Sequence, residues 1–479
     1  MLVLINTNRM TPPIAPLGLE YVAGAARRAG IDVDLLDLCL ADDPDTALRQ
    51  YFAAKSPRLV GLTFRNVDDC FWPSGRSFVS DLCETVRKLR GFTDAPLLLG
   101  GVGFSMFPER LLDETRADFG VHGDGEEAIV SLTKELDGRR NFAKVPGLLW
   151  RRDGRTFRNP PAWPRTFSLP TSRDVLDNKT YFRRGGQLGL ETARGCDRRC
   201  VYCADPLAKG PRVRLRSPVE VADEVEALLA RDLDVLHLAD SEFNAAQEHA
   251  LAVCEMFTRR SFQTRLRWYT YMAVLPFDVE LAAAMAQAGC VGINFTADSA
   301  SPAMLKTYRQ PHTPEDLANA VRLARDHGIS VMLDLLLGGP GETPETLKAT
   351  VDFIKRIGPD AVGAQLGVRV YPHTALADLV AVQGPLDANP SLRRRYSGPV
   401  DLFRPTFYIS SALGDRPAKL VRELVGGDLR FFEPVDEGDR RDGDAASDYN
   451  YNDNTPLVDA IAAGARGAYW DILRKLRSP

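Results

Sequence analysis

The sequence predicts an α/β protein built from two successive βα arrays. The first is an N-terminal doubly wound parallel sheet over residues 1–140; the second is a partial (β/α)6 TIM-type barrel over residues 188–380. A linker (141–187) joins them and a C-terminal domain (381–479) follows. Three observations predict this. Short apolar runs alternate with amphipathic stretches, which is the rhythm of βα units. The rhythm breaks once, in the Pro- and Arg-dense WRRDGRTFRNPPAWPRTFSLPT, and fades after Pro372. Between break and fade there are six candidate strands, too few for an eight-fold barrel.

The first array reads VLIN, a helix over LGLEYVAGAARRAG, VDLLDL, a helix, LVGLTF, a helix over FVSDLCETVRKLR, PLLLGG and FGVHG. In such sheets ligands bind beyond the carboxyl ends of the strands. Here that places a cofactor crevice at the loops Asn6–Pro16, Thr63–Asp69, Gly100–Pro108 and Gly123–Glu126. The second array runs through LGLETARGC, LDVLHLAD, RLRWYTY, GINFTADSAS, ISVMLDLLLGGPGE and VGAQLGVRVYP. Beyond it, Glu433 to Asp453 holds eight acidic residues against Arg440 and Arg441. This stretch reads as a loop or lid; over a barrel mouth it would attract a polycationic substrate, while a merely solvated loop is the other reading.

The chain has 479 residues, 44% of them apolar and 26% charged, with a net charge of −4. Nothing in that balance draws it to nucleic acid or to an anionic membrane. MLVLINTNRM runs straight into a strand without a leader pattern, and no apolar run approaches the roughly 20 residues that span a bilayer, so a cytoplasmic location is expected. Of eight cysteines, Cys39, Cys70, Cys83, Cys254 and Cys290 stand alone in apolar surroundings and read as small buried hydrophobes.

The other three form ETARGCDRRCVYCADP, with Cys196, Cys200 and Cys203 spaced Cys-x3-Cys-x2-Cys. One loop of this length can wrap a corner of a cubic cluster, ligating three irons and leaving one open. A structural zinc site competes with that reading but closes with four ligands, and no fourth Cys or His lies nearby. Cluster ferredoxins also use four cysteines, so the vacancy points to a chelating substrate.

The spacing, with Tyr202 before the last cysteine, resembles the radical S-adenosylmethionine superfamily. The resemblance implies a 4Fe–4S cluster whose open iron is chelated by the methionine of S-adenosylmethionine, and reductive cleavage to a 5′-deoxyadenosyl radical. It implies further site residues in chain order. Asp240 and Glu242 in LADSEF would receive the methionine amino group, a solvated acidic turn being the alternative. Asp298 and Ser299 resemble an acidic-Ser motif that meets the ribose or carboxylate, and Arg309 would pair with the carboxylate. Gly338 and Gly339 form the Gly-rich strand exit, and the Val368–Arg369–Val370 backbone would pair with adenine.

PLGLEYVAGAARRAG, VGLTFRNVDD, LLLGGVGFSMFPE and VHGDGEEA resemble the cobalamin-binding domain of many such enzymes. No Asp-x-His-x-x-Gly is present and no histidine precedes His122. Cobalamin, which some members bind and others lack, would therefore be held without a histidine ligand, with Phe64-Arg65-Asn66 facing the cobalt from below. The expected reaction is radical dehydration of a cationic amino sugar, a C3′-deoxygenation of a paromamine-like aminoglycoside. An electron donor such as flavodoxin or ferredoxin and an NADPH-dependent reductase would be the partners. The alternative is cobalamin-dependent C-methyl transfer to a natural-product substrate. Tyr269, Tyr271 and Asp334, on predicted strands, are the candidates for acting on the substrate.

Overall fold

The computed structural model describes residues 1–435 and 450–477; most of the acidic stretch read as a lid, from Asp436 through Asp448, lies outside the described residues. Five parallel strands, β1 (Leu2–Asn6), β2 (Val33–Asp37), β3 (Leu59–Thr63), β4 (Leu97–Gly100) and β5 (Phe119–Val121), build the first sheet. Their order, β2-β1-β3-β4-β5, reverses between β1 and β3. Helices on both faces explain why LVLIN is buried at every residue.

The expected linker begins instead as sheet. β6 (Leu148–Arg152) and β7 (Arg155–Arg158) form a hairpin that extends the first sheet antiparallel past β5. The turn is Asp153-Gly154 with φ of 52° and 72°, the positive-φ pair that lets a two-residue loop follow the strand twist. Further on, Thr166–Phe167 pairs with Arg214–Arg216, and Asn178–Gly185 is a helix capped by Asp177.

The second sheet holds the six expected strands: β8 (Leu188–Leu190), β9 (Val235–Leu238), β10 (Arg267–Met272), β11 (Cys290–Asp298), β12 (Ser330–Leu337) and β13 (Ala361–Leu366). All are parallel and lie in chain order, and β14 (Phe431–Phe432), from the C-terminal region, adds a seventh beside β13. Trp268 and Met272 face the helices, so by strand alternation Tyr269 and Tyr271 face inward. At the strand starts Val235, Tyr269, Met332 and Ala361 meet Trp470 and Leu473 of the final helix, which seals the barrel floor.

The two sheets are tied together by buried charge. Arg173 reaches Glu20 of the first array at 2.5 Å and Glu224 of the second at 2.8 Å, and Arg216 pairs with Glu224 at 2.6 Å. Asp68 and Arg369 make a second buried bridge at 3.0 Å. No described helix is long and apolar enough to cross a membrane.

Candidate active site

Between the two sheets lies a cavity of about 500 Å³. All four loops expected at the strand ends contribute to it, through Asn8, Thr63, Gly101 and Gly123 among others, and the barrel supplies Glu191, Asp205 and Ser241. Gly101 has φ of +100°, and a Cβ there would lie 2.6 Å from the Phe64 carbonyl, so the loop folds this tightly only with glycine. Arg65 and Asn66 border the cavity from the first array. Arg65 is exposed to the cavity and makes no ion pair among the described residues, and its desolvation there draws its pKa down. His122, the first histidine of the chain, is engaged by the Leu207 carbonyl at 2.7 Å and by Arg158 at 2.7 Å.

The cysteine loop lies at the barrel's upper rim, between Ala193–Arg194 and the helix Asp205–Lys209. Cys203 N donates to Cys200 O at 3.2 Å; Val201 donates to Tyr308 O at 3.3 Å and accepts from Leu376 N at 2.7 Å. The loop is thereby held by two barrel segments far away in sequence. Cys196 is buried and the other two are half-buried. Burial raises all three thiols, Cys200 to about 12. Iron binding deprotonates such thiols outright, so these shifts describe the metal-free protein.

Two carboxyls face this loop. Glu242 accepts from Thr296 Oγ1 at 2.9 Å through Oε1, whereas Oε2 is buried without a partner. Asp298 accepts the Tyr202 hydroxyl at 2.9 and 2.7 Å on its two oxygens and Gln310 Nε2 at 2.5 Å. Burial pushes both Glu242 and Asp298 up to about 7. Three thiols and an orphaned buried carboxylate oxygen, with no ion pair to either carboxyl among the described residues, fit a cationic iron–sulfur and sulfonium-bearing occupant.

Several sequence expectations need correction. Asp240 does not receive a ligand: Thr192 N, Thr192 Oγ1 and Ala193 N already donate to it at 2.7, 2.5 and 3.0 Å, so it braces the strand before the cysteine loop. Ser299 is buried, with its hydroxyl 2.8 Å from Thr350 Oγ1 and accepting Ser301 N at 3.1 Å. Arg309 is exposed at the end of the helix Pro302–Tyr308, with φ of 60°, and it is the next residue, Gln310, that turns inward. Val368 and Arg369 pair antiparallel with Tyr408 and Phe407, and Val370 N donates to Thr406 O at 2.9 Å, which commits the backbone of Val368 and Val370 to this sheet and leaves that of Arg369 on its unpaired edge. The Arg369 side chain serves the bridge to Asp68. Tyr269 donates to Asp471 at 2.9 Å in the sealed floor.

Gly338 N donates to the Glu342 carboxyl, and a Cβ on Gly339 would lie 2.1 Å from the Tyr308 hydroxyl, so the strand exit needs its glycines for close packing. Tyr271 and Asp334 do face the barrel mouth. Burial first, then the Asp334 charge, raises Tyr271 to about 12, against the opposing pull of Arg65. His237, whose ring centroid is 4.9 Å from that of Tyr271, shares this surface and was not singled out by sequence, although strand alternation around Leu236 and Leu238 puts it there.

Comparison with known proteins agrees with this division. Residues 190–354 match the radical SAM superfamily model and residues 4–133 the B12 binding domain. The chain is 30% identical to tryptophan 2-C-methyltransferase of Streptomyces laurentii, over 98% of this chain and 94% of that one. It is 24% identical to cytidylyl-2-hydroxyethylphosphonate methyltransferase of Streptomyces wedmorensis, covering 88% of each. The solved radical S-adenosylmethionine methyltransferase TsrM from Kitasatospora setae, with tryptophan and a S-adenosylmethionine analogue bound, superposes with a TM-score of 0.92 at 32% identity, covering 99% of this chain and 97% of that one. The same enzyme solved with cobalamin and the iron–sulfur cluster gives 0.90. These relatives are methyltransferases along essentially the whole chain, which overturns the expectation of diol dehydration. The amino-sugar substrate and the reductase partner lose their support with it, and so does the paromamine-like specificity.

Proposed function

The chain belongs to the radical S-adenosylmethionine superfamily and carries its cobalamin-binding domain, and from that premise we propose that it is a C-methyltransferase acting on a small aromatic amino acid of the tryptophan type. Its cofactors are a 4Fe–4S cluster, S-adenosylmethionine and cobalamin. The observation that carries the proposal is the likeness to a tryptophan methyltransferase over 98% of the chain, both cofactor domains included. The barrel mouth supports it, because Tyr271 and His237 offer flat apolar surface suited to an aromatic ring.

In this reading Cys196, Cys200 and Cys203 hold the cluster, and the partnerless oxygen of Glu242 offers a buried negative site beside it. Arg65 and Asn66 border the cobalamin crevice from the N-terminal side. A guanidinium stays protonated and has no lone pair to give a metal, so this loop would leave the cobalt without a protein ligand on that face. Bound cobalamin carries the methyl group between S-adenosylmethionine and substrate. Tyr271 and Asp334 are positioned to orient the substrate, and the sealed floor keeps bulk water from entering the barrel at that end. A flavodoxin or ferredoxin is the fitting donor for the cluster.

The test uses protein reconstituted with iron, sulfide and cobalamin, supplied with reductant, methyl-deuterated S-adenosylmethionine and tryptophan. The expected result is labelled methyl on a ring carbon together with S-adenosylhomocysteine. S-adenosylhomocysteine without methylated tryptophan would keep methyl transfer and overturn the substrate; absence of both would overturn methyl transfer itself.

A further inference from the structure

We propose that Gln310 is a positioning residue of the iron–sulfur centre, whose side-chain amide donates an N–H···S hydrogen bond to Cys200 and thereby raises the reduction potential of the cluster. The proposal rests on the cluster assignment and is independent of the methyl acceptor. Gln310 Nε2 lies 3.3 Å from Cys200 Sγ, 2.5 Å from Asp298 Oδ2 and 3.4 Å from the Tyr202 hydroxyl oxygen. A primary amide has two N–H groups and one carbonyl, whereas an ionised carboxylate only accepts. Asp298 therefore decides which end of the amide is turned toward it: the reverse orientation would set the Gln310 carbonyl against a carboxylate. With one N–H given to Asp298, the other is left for the sulfur.

The clamp is itself held. Tyr202, one residue before Cys203, donates to both Asp298 oxygens, and Asp298 sits where the register between β11 and β12 shifts, with φ of 56°. Arg309 takes the left-handed conformation that ends its helix and swings Gln310 inward, and Tyr308 O accepts from Val201 in the cysteine loop. The amide and the sulfur it touches are thus fixed by two separate contacts between the same pair of segments. Reducing the cluster adds negative charge to its sulfurs, so a donor aimed at a ligating sulfur stabilises the reduced form more than the oxidised one. The same contact already acts on the metal-free thiol, where it opposes the upward push of burial on Cys200.

Full-length protein reconstituted with iron and sulfide, as wild type, Q310L and Q310E, is titrated with reductant while the reduced cluster is followed by electron paramagnetic resonance. Both variants should show a midpoint shifted to more negative potential at unchanged iron content. Pulsed resonance on wild type grown with side-chain 15N-glutamine should show a nitrogen coupling that both variants lose. Equal midpoints in wild type and a cluster-loaded variant would overturn the proposal. If Q310L fails to hold iron, the isosteric Q310E decides. If neither holds iron, the residue serves assembly and the proposal fails. None of these readouts depends on methyl transfer, so failure of the substrate assignment stays distinguishable.

Discussion

Two sets of buried charges in this molecule are solved in opposite ways. Between the arrays, Glu20, Glu224, Arg173 and Arg216 are each at most 2% exposed, and each carboxylate meets a guanidinium. Asn178 Nδ2 donates to Glu20 at 2.8 Å and the Tyr21 hydroxyl to Glu224 at 2.9 Å, although Arg216 Nε and Nη2 are buried without a hydrogen-bond acceptor. Around the cysteine loop, Glu242 and Asp298 are enclosed without an ion pair among the described residues, and on the other side of the cavity Arg65 faces the open space without a carboxylate among those residues. Desolvating a charge costs several kcal/mol unless a partner offsets it. In the first set every charge meets its opposite within the protein, which marks it as structural. The second keeps its charges unpaired in the protein alone, which marks the places where ligands supply the counter-charge.

The comparison can be broken at either end. The largest effect falls on the open set: replacing Cys196, Cys200 and Cys203 together by Ala should abolish iron binding and reduce methyl transfer to background, read by iron content and product formation. In the closed set, R173M should destabilise the protein by about 3–5 kcal/mol, because it leaves Glu20 buried without its cation, while Glu224 keeps only Arg216. Denaturant unfolding measures this, and a loss under 1 kcal/mol would mean that water reaches the cluster.

Glu242 gives the next effect, and its sign follows from the direction of its shift. Its carboxyl goes from the ordinary 4.5 to about 7 on folding, so the native state binds more protons between those values. Metal-free protein should therefore lose stability as pH rises from about 4.5 through 7, by on the order of 3 kcal/mol at the upper end. E242Q should flatten that part of the profile, and thermal unfolding between pH 5 and 8 checks it. The smallest effect is at Arg65. R65M removes a cation that faces the cavity and should weaken cobalamin retention with little change in the stability of metal-free protein, read from the corrin absorption spectrum and unfolding curves.

Much of this was legible in the sequence. The βα rhythm located both sheets and all four loops of the cavity, because period and turn chemistry are local. The cysteine spacing picked out the loop proposed to hold the cluster for the same reason. The expected linker failed on a local signal that was overlooked: Asp153-Gly154 between LLWRR and RTFR is a hairpin turn, masked by arginine-rich flanks that suit a solvent-facing edge pair. The remaining errors are not local. Whether Arg309 or Gln310 faces the cysteines depends on how a helix ends, and whether Asp240 is open depends on Thr192, far from it in the chain. The backbone at Val368 is claimed by Thr406–Tyr408, a pairing that no motif announces. The reaction was misjudged because barrel and cofactor motifs are common to many chemistries, and only likeness along the whole chain separates them.

The stoppered floor sets the traffic of the catalytic cycle. With Tyr269, Trp470 and Leu473 filling the strand starts, the described residues close the barrel at its floor and leave its upper rim facing the cavity. On the proposed function, a substrate entering from that rim would pass the same crevice that would hold the corrin. A floor shut in this way ties substrate entry to cofactor occupancy, so a tightly held cobalamin would act as the threshold that a substrate arriving from the rim crosses.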